Sequence, residues 1–134
     1  VQLEAGSVAS DFEFLPVDVN LRRCQRYYFR RQGDGSDQRA VSNGFASETN
    51  RCRSVVIFPV TMRTNPTVTE AELQCMIKGA TSSNVSLNAT LDAAPNAVTV
   101  QLDPDSGTPF GQGDGLIVRT ETSTSAFIAF DGEL

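Results

Sequence analysis

The stretch Asn84-Val85-Ser86-Leu87-Asn88-Ala89-Thr90-Leu91 decides the fold class. Apolar residues fall at every second position, so Val85, Leu87, Ala89 and Leu91 share one face of an extended strand, with polar residues on the other. Val98, Val100 and Leu102 repeat the pattern beyond the Ala94-Pro95-Asn96 turn signal. Working outward, further runs rich in β-branched and aromatic residues predict strands at 26–31, 53–60, 72–78, 115–121 and 125–131, besides 84–91 and 97–102. Val55 to Phe58 is continuously apolar, as in a strand covered on both faces. In the last run Phe127 and Ala129 face one way and Ala126, Ile128 and Phe130 the other, which suggests a subunit or domain over the outer face. Gly33-Asp34-Gly35, Asn43-Gly44, Asn65-Pro66 and Asp103 to Gly107 punctuate the runs as turns. One helix is expected over residues 17–25, with Val17, Leu21 and Cys24 on one face and Asp18 or Asn20 as its cap. The expected fold is all-β: an antiparallel, jelly-roll-like β-sandwich with one short N-terminal helix.

Composition narrows the function. The chain has 134 residues, enough for one domain with a real core, and neither histidine nor tryptophan. Lacking histidine, it has no Ser-His-Asp or Cys-His arrangement and no imidazole base, so it is read as a non-enzyme with no catalytic residues, metal site or cofactor. An Asp/Glu polysaccharide hydrolase stays open, since paired carboxylates converge only in space. Asp103-x-Asp105-x-Gly107 resembles a calcium loop, but Thr108 stands where an EF-hand needs glycine, and Pro104 favours a plain turn. The sequons at Asn84 and Asn88 are explained by strand alternation. Cys24, Cys52 and Cys75 have no C-x-x-C spacing and read as reduced, buried thiols of a cytoplasmically made protein.

The net charge of −5 is uneven. Residues 22–63 carry nine arginines against Asp34, Asp37 and Glu48, a net +6, and the remainder carries −11. The acidic remainder would repel a phosphate backbone, so no nucleic-acid partner is expected, and the blocks suggest complementary subunit surfaces. The longest apolar run, Val55 to Val60, is far short of the ~20 residues a membrane span needs, so no membrane insertion is expected. Residue 1 is valine, and the chain is read as a fragment or processed product.

Two glycine-rich loops and one aromatic run supply the candidate contacts. Asp34 and Asp37 lie in the first loop, and Phe110, Gln112 and Asp114 in the second. Phe110 is either an exposed contact or a loop anchor folded back. In Arg26-Tyr27-Tyr28-Phe29, strand alternation puts Tyr27 and Phe29 on one face and Tyr28 on the other. Tyr28 is the candidate stacking residue, and Arg22, Arg26, Tyr27 and Arg63 are candidates for a subunit interface.

Four segments carry a resemblance. Val1 to Glu13 (VQLEAGSVASDFE), Leu21 to Tyr28 with its CQRYY core, Phe58 to Val68 (FPVTMRTNPTV) and the end Asp131-Gly132-Glu133-Leu134 are similar, in order, to elements of tailed-bacteriophage structural proteins. The resemblance is to the C-terminal CQRYY-type domain of tail fibre-like or decoration proteins. Asp18-Val19-Asn20 and Arg22-Arg23 depart from the usual lead into its helix. It implies that residues 1–16 are a linker or terminal strand from an upstream domain and 17–134 a single β-sandwich. It also implies a homotrimer located in the virion, assembled in the host cytoplasm with other virion proteins. Attachment to host-surface polysaccharide is the expected role, and a capsid decoration or connector protein is the alternative.

Overall fold

The computed structural model describes residues 15–77 and 81–133. The first 14 residues, which hold most of the expected linker, lie outside that range. Helix α1 (Val17–Gln25) is followed by β1 (Tyr28–Gln32), β2 (Ala40–Glu48), β3 (Arg51–Ile57), β4 (Thr67–Ala71) and β5 (Leu73–Ile77). Then come β6 (Thr81–Ala94), β7 (Ala97–Pro104), β8 (Gly115–Thr120) and β9 (Phe127–Asp131). The fold is mostly β with one short helix and antiparallel pairing throughout.

The architecture differs from a jelly-roll-like sandwich. Strands β2-β3-β7-β6-β5-β8 close into a six-stranded barrel, and β1-β9-β4 form a separate three-stranded sheet. The closing seam is the β2–β8 pairing, in which Gly44 lies opposite Leu116. Inward positions fill the barrel: Val56 and Cys52 on β3, Val98, Val100 and Leu102 on β7, Leu73 and Cys75 on β5, Val118 on β8. Ser54 and Thr120 are buried among them but satisfied, Ser54 Oγ donating to the Asn43 carbonyl (2.9 Å) and Thr120 Oγ1 accepting from Arg39 N–H (3.0 Å). The same core continues into the smaller sheet, where the Phe130 ring lies 5.0 Å from Phe58 and 6.0 Å from Phe29.

The alternation over 84–91 breaks in the middle. A register shift between Leu87 and Ala89 sets Ala89 and Leu91 opposite Gln101 and Thr99, not the inward Val100 and Val98. Val85 is buried, whereas Ala89 and Leu91 are only half-buried. Strand β3 is covered on one face alone, since Val56 is buried while Val55 and Ile57 stand out, Ile57 at 74% exposure. Strand β9 has part of its outer face covered from within the chain. It is the central strand of its sheet, with Arg30 and Thr69 flanking Ala129 and the Arg30 guanidinium 4.1 Å above the Phe127 ring.

Two strands were absent from the sequence reading. Strand β2 runs straight through Asn43-Gly44, which reads as a turn; a Cβ on Gly44 would meet the Arg53 carbonyl oxygen at 2.3 Å, so the glycine serves close strand approach. Strand β4 leads into β5 through Glu72 at φ 52, a corner that carries the chain from the small sheet into the barrel. Helix α1 occupies the residues expected, but its N-cap is Pro16, with Asp18 in the first turn. It buries none of its residues: Val17 is 83% exposed, and Leu21 and Cys24 are exposed. Cys24 is thus a surface thiol, contrary to expectation, because the helix lays its apolar stripe on nothing among the described residues.

Candidate binding site

The two glycine-rich loops do not form one site. The first precedes Ala40, and the second is tied to the other end of β2 by Gly113 N–H to the Ala46 carbonyl and Ala46 N–H to the Asp114 carbonyl (both 2.8 Å). Strand β2 is nine residues long, so its ends are separated by roughly 26 Å.

Within the first loop, Asp34 builds the turn. Its Oδ1 accepts the Asp37 N–H (2.8 Å) and Ser36 N–H (3.0 Å), and its Oδ2 is ion-paired with Arg39. Those two backbone donors, then Arg39, hold its carboxyl well below the usual carboxylate range. Asp37 keeps an exposed side chain. In the second loop Phe110 is 4% exposed and belongs to the core, which corrects its reading as an exposed contact. It is the loop's apolar anchor, held also by its N–H to the Thr49 carbonyl (3.2 Å). Asp114 turns inward to accept Gly111 N–H (3.0 Å), and Gln112 stays exposed.

The expected interface residues largely converge. Arg63 N–H donates to the Arg26 carbonyl (2.7 Å), its guanidinium lies 5.7 Å from the Tyr27 ring centroid, and Gly132 N–H donates to the Tyr27 carbonyl (2.7 Å). Three of the four quoted segments thus meet in one corner, with buried Met62 beneath Gly132 and Thr64 Oγ1 donating to the Gly132 carbonyl (2.9 Å). Tyr27 precedes β1, so alternation does not tie it to Phe29; Phe29 is half-buried, while Tyr27 and Tyr28 are both exposed. Arg22 is exposed on α1 nearby in sequence.

Sequence reasoning missed the concavity on the outer barrel wall. A cavity of 280 Å³ is lined by Asn43, Phe45, Arg53, Val55, Asp92 and Thr99. Phe45 is 51% exposed and sits in register opposite Arg53, whose own side chain is half-buried. Arg53 Nε is buried without a hydrogen-bond partner. Asp92, at φ 43, supplies a carboxylate on the same wall, and no ion pair joins it to Arg53 among the described residues. The signal was hidden twice: Phe45 follows the apparent Asn43-Gly44 turn, and Arg53 was read only as part of a charge block. A larger cavity of 420 Å³ lies beside the first loop, lined by Phe29, Arg31, Asp34, Arg39 and Pro59 among others. There Arg39 is spent on Asp34, and Arg31 lies over the Phe29 ring (5.6 Å).

The Asp103 and Asp105 carboxylates serve neighbouring strands. Asp103 accepts from Arg51 Nε (3.3 Å) and Asn88 Nδ2 (2.7 Å), and Asp105 accepts from Ser86 Oγ (2.6 Å). Among the described residues no group of histidine, cysteine, aspartate and glutamate is placed to hold a metal ion. Also among them, no helix is long and apolar enough to cross a membrane. Comparison with protein-family models, curated proteins and solved structures finds no match to this chain.

Proposed function

We propose that the chain is a non-enzymatic attachment module of a bacteriophage virion, working as a homotrimer, with the barrel-wall concavity as its contact for host-surface glycan. The observation that carries the contact is the set Phe45, Arg53 and Asp92. An exposed ring offers a flat apolar surface for the C–H face of a pyranose, and an adjacent guanidinium and carboxylate offer a donor and an acceptor for vicinal hydroxyls. The phage origin rests on the resemblance of the four segments. The trimer is supported by the exposed apolar residues Val17 and Leu21 and by Tyr27 and Tyr28, beside Arg22, Arg26 and Arg63. Three linked copies would turn weak single sites into useful avidity.

The test is binding of the purified chain to host envelope polysaccharide, with blocking of phage adsorption as the biological readout. Phe45→Ala and Asp92→Asn are each expected to weaken binding about tenfold or more, the loss of one aromatic or charged contact of ~1.5 kcal/mol. Unchanged binding in both variants would remove the concavity from the mechanism, and no binding by the native chain would remove attachment. A capsid-decoration role is favoured by one specific observation, Ile57 at 74% exposure beside Val55 on the outer barrel wall. Under that role the chain binds capsids lacking it and raises their resistance to heat.

A further inference from the structure

Cys52 and Cys75 are 23 residues apart in the chain, yet their sulfurs lie 3.4 Å from each other. Both residues are fully buried. Their strands are not neighbours. In the ring β2-β3-β7-β6-β5-β8, β3 and β5 stand three places apart in either direction, on opposite walls. The two side chains therefore meet across the barrel interior. Around them the walls are set by Ala46 and Leu102, opposite Cys52, and Val118, opposite Cys75. Ala46 is small enough to leave the centre of the barrel to the two sulfurs.

We propose that Cys52 and Cys75 are a cross-barrel disulfide site, closed when the chain folds in an oxidising medium and left open when it folds in a reducing one. A disulfide bond of about 2.05 Å requires the sulfurs to approach by about 1.4 Å, by side-chain rotation together with any inward shift of the two walls. With a small disulfide such as oxidised glutathione as oxidant, one cysteine thiolate attacks it, forming a mixed disulfide and releasing one glutathione thiol. The second cysteine thiolate then displaces the other glutathione. Two protein thiols and one glutathione disulfide become one protein disulfide and two glutathione thiols, so atoms and electrons balance.

The folded barrel opposes this exchange in both directions. Glutathione has no path to two fully buried sulfurs. The hydrogen bond shared with Cys52, together with burial, also pushes the Cys75 thiol far above the usual thiol range and leaves little nucleophilic thiolate there. The exchange therefore belongs to the open chain, and the barrel then preserves whichever state was formed. Its redox state is a record of the medium in which the chain folded.

The experiment refolds the full chain carrying Cys24→Ser, which removes the surface thiol, from denaturant in reduced or mixed reduced-and-oxidised glutathione. Product from the mixed buffer is expected to have lost two hydrogens by mass and to yield a peptide linking residues 52 and 75. Its Tm is expected to be higher than that of the reduced product by about 5 °C or more, as closing a loop of this length constrains the unfolded chain. Native reduced protein held in oxidised glutathione without denaturant is expected to keep both thiols over hours. Two free thiols after oxidative refolding, a lower Tm in the cross-linked form, or refolding that succeeds only under reducing conditions would each overturn the site. Rapid oxidation of the native protein would overturn the record-keeping.

Discussion

Asp34 shows how one carboxylate can be spent on architecture. Its two backbone acceptor bonds and the Arg39 pair depress its folded pKa, so the stabilisation it gives is present above the ordinary aspartate range near pH 4. That stabilisation is lost progressively as pH falls from the ordinary aspartate range through the depressed value. A carbon-13 titration is therefore expected to show the Asp34 carboxyl still ionised at pH 3, while exposed carboxylates have begun to protonate. Titration near pH 4 would contradict the turn geometry. Gly44 makes the opposite point, that a missing side chain can be structural. Gly44→Ala forces a methyl within 2.3 Å of the Arg53 carbonyl, and a loss of about 2–4 kcal/mol in a denaturant melt is expected. At this scale the sequence was partly legible. Asp34 was visible as a turn residue, but its ion pair with Arg39 needed the loop's course, and Phe110 could be anchor or contact until the loop was seen to fold onto the core.

At the scale of the element, the seven expected strands and the helix all correspond to real ones, because their signals are local: alternation, β-branched runs and turn residues at their ends. Strands β2 and β4 were illegible for the same reason. Strand β2 contains Asn43-Gly44, a local turn signal overridden by close pairing to β3, and β4 is a five-residue run with one large apolar residue, Val68. The candidate site suffered accordingly, since Phe45 sits on the unread strand. Glu72 tests the corner between β4 and β5. Its left-handed φ of 52 is costly for any residue with a Cβ, so Glu72→Gly is expected to leave stability unchanged or raise it by about 0.5–1 kcal/mol. A clear loss in the same melt would mean that the glutamate side chain holds the corner.

At the scale of the whole molecule, closure into a barrel could not be read from the pattern, because a sandwich and a barrel ask for the same alternation and differ only in whether first and last strands pair. Burial then sorts the surface. The barrel hides its core but leaves, among the described residues, a helix with an uncovered apolar stripe and a wall bearing Phe45, Val55 and Ile57. A trimer held by the helix stripe is expected to dissociate on Leu21→Asp, seen as a shift from trimer to monomer in sedimentation velocity with the strand signal in circular dichroism retained. A trimer that survives this change would place its interface elsewhere, with the barrel wall next in line.

The seam that closes the barrel has a further consequence for how the protein comes into being. Strand β2 is made well before its partner β8, which ends at Thr120, so the ring stays open until the ribosome has delivered all six of its strands. Nascent β2, β3 and β5 must wait with their inward valines, leucines and cysteines exposed, and folding is governed by a slow, long-range event that follows the synthesis of β8. A stop codon between the end of β7 at residue 104 and the start of β8 at residue 115 therefore releases an open sheet with β2 and β5 as unpaired edges, the kind of product that a cell clears or precipitates.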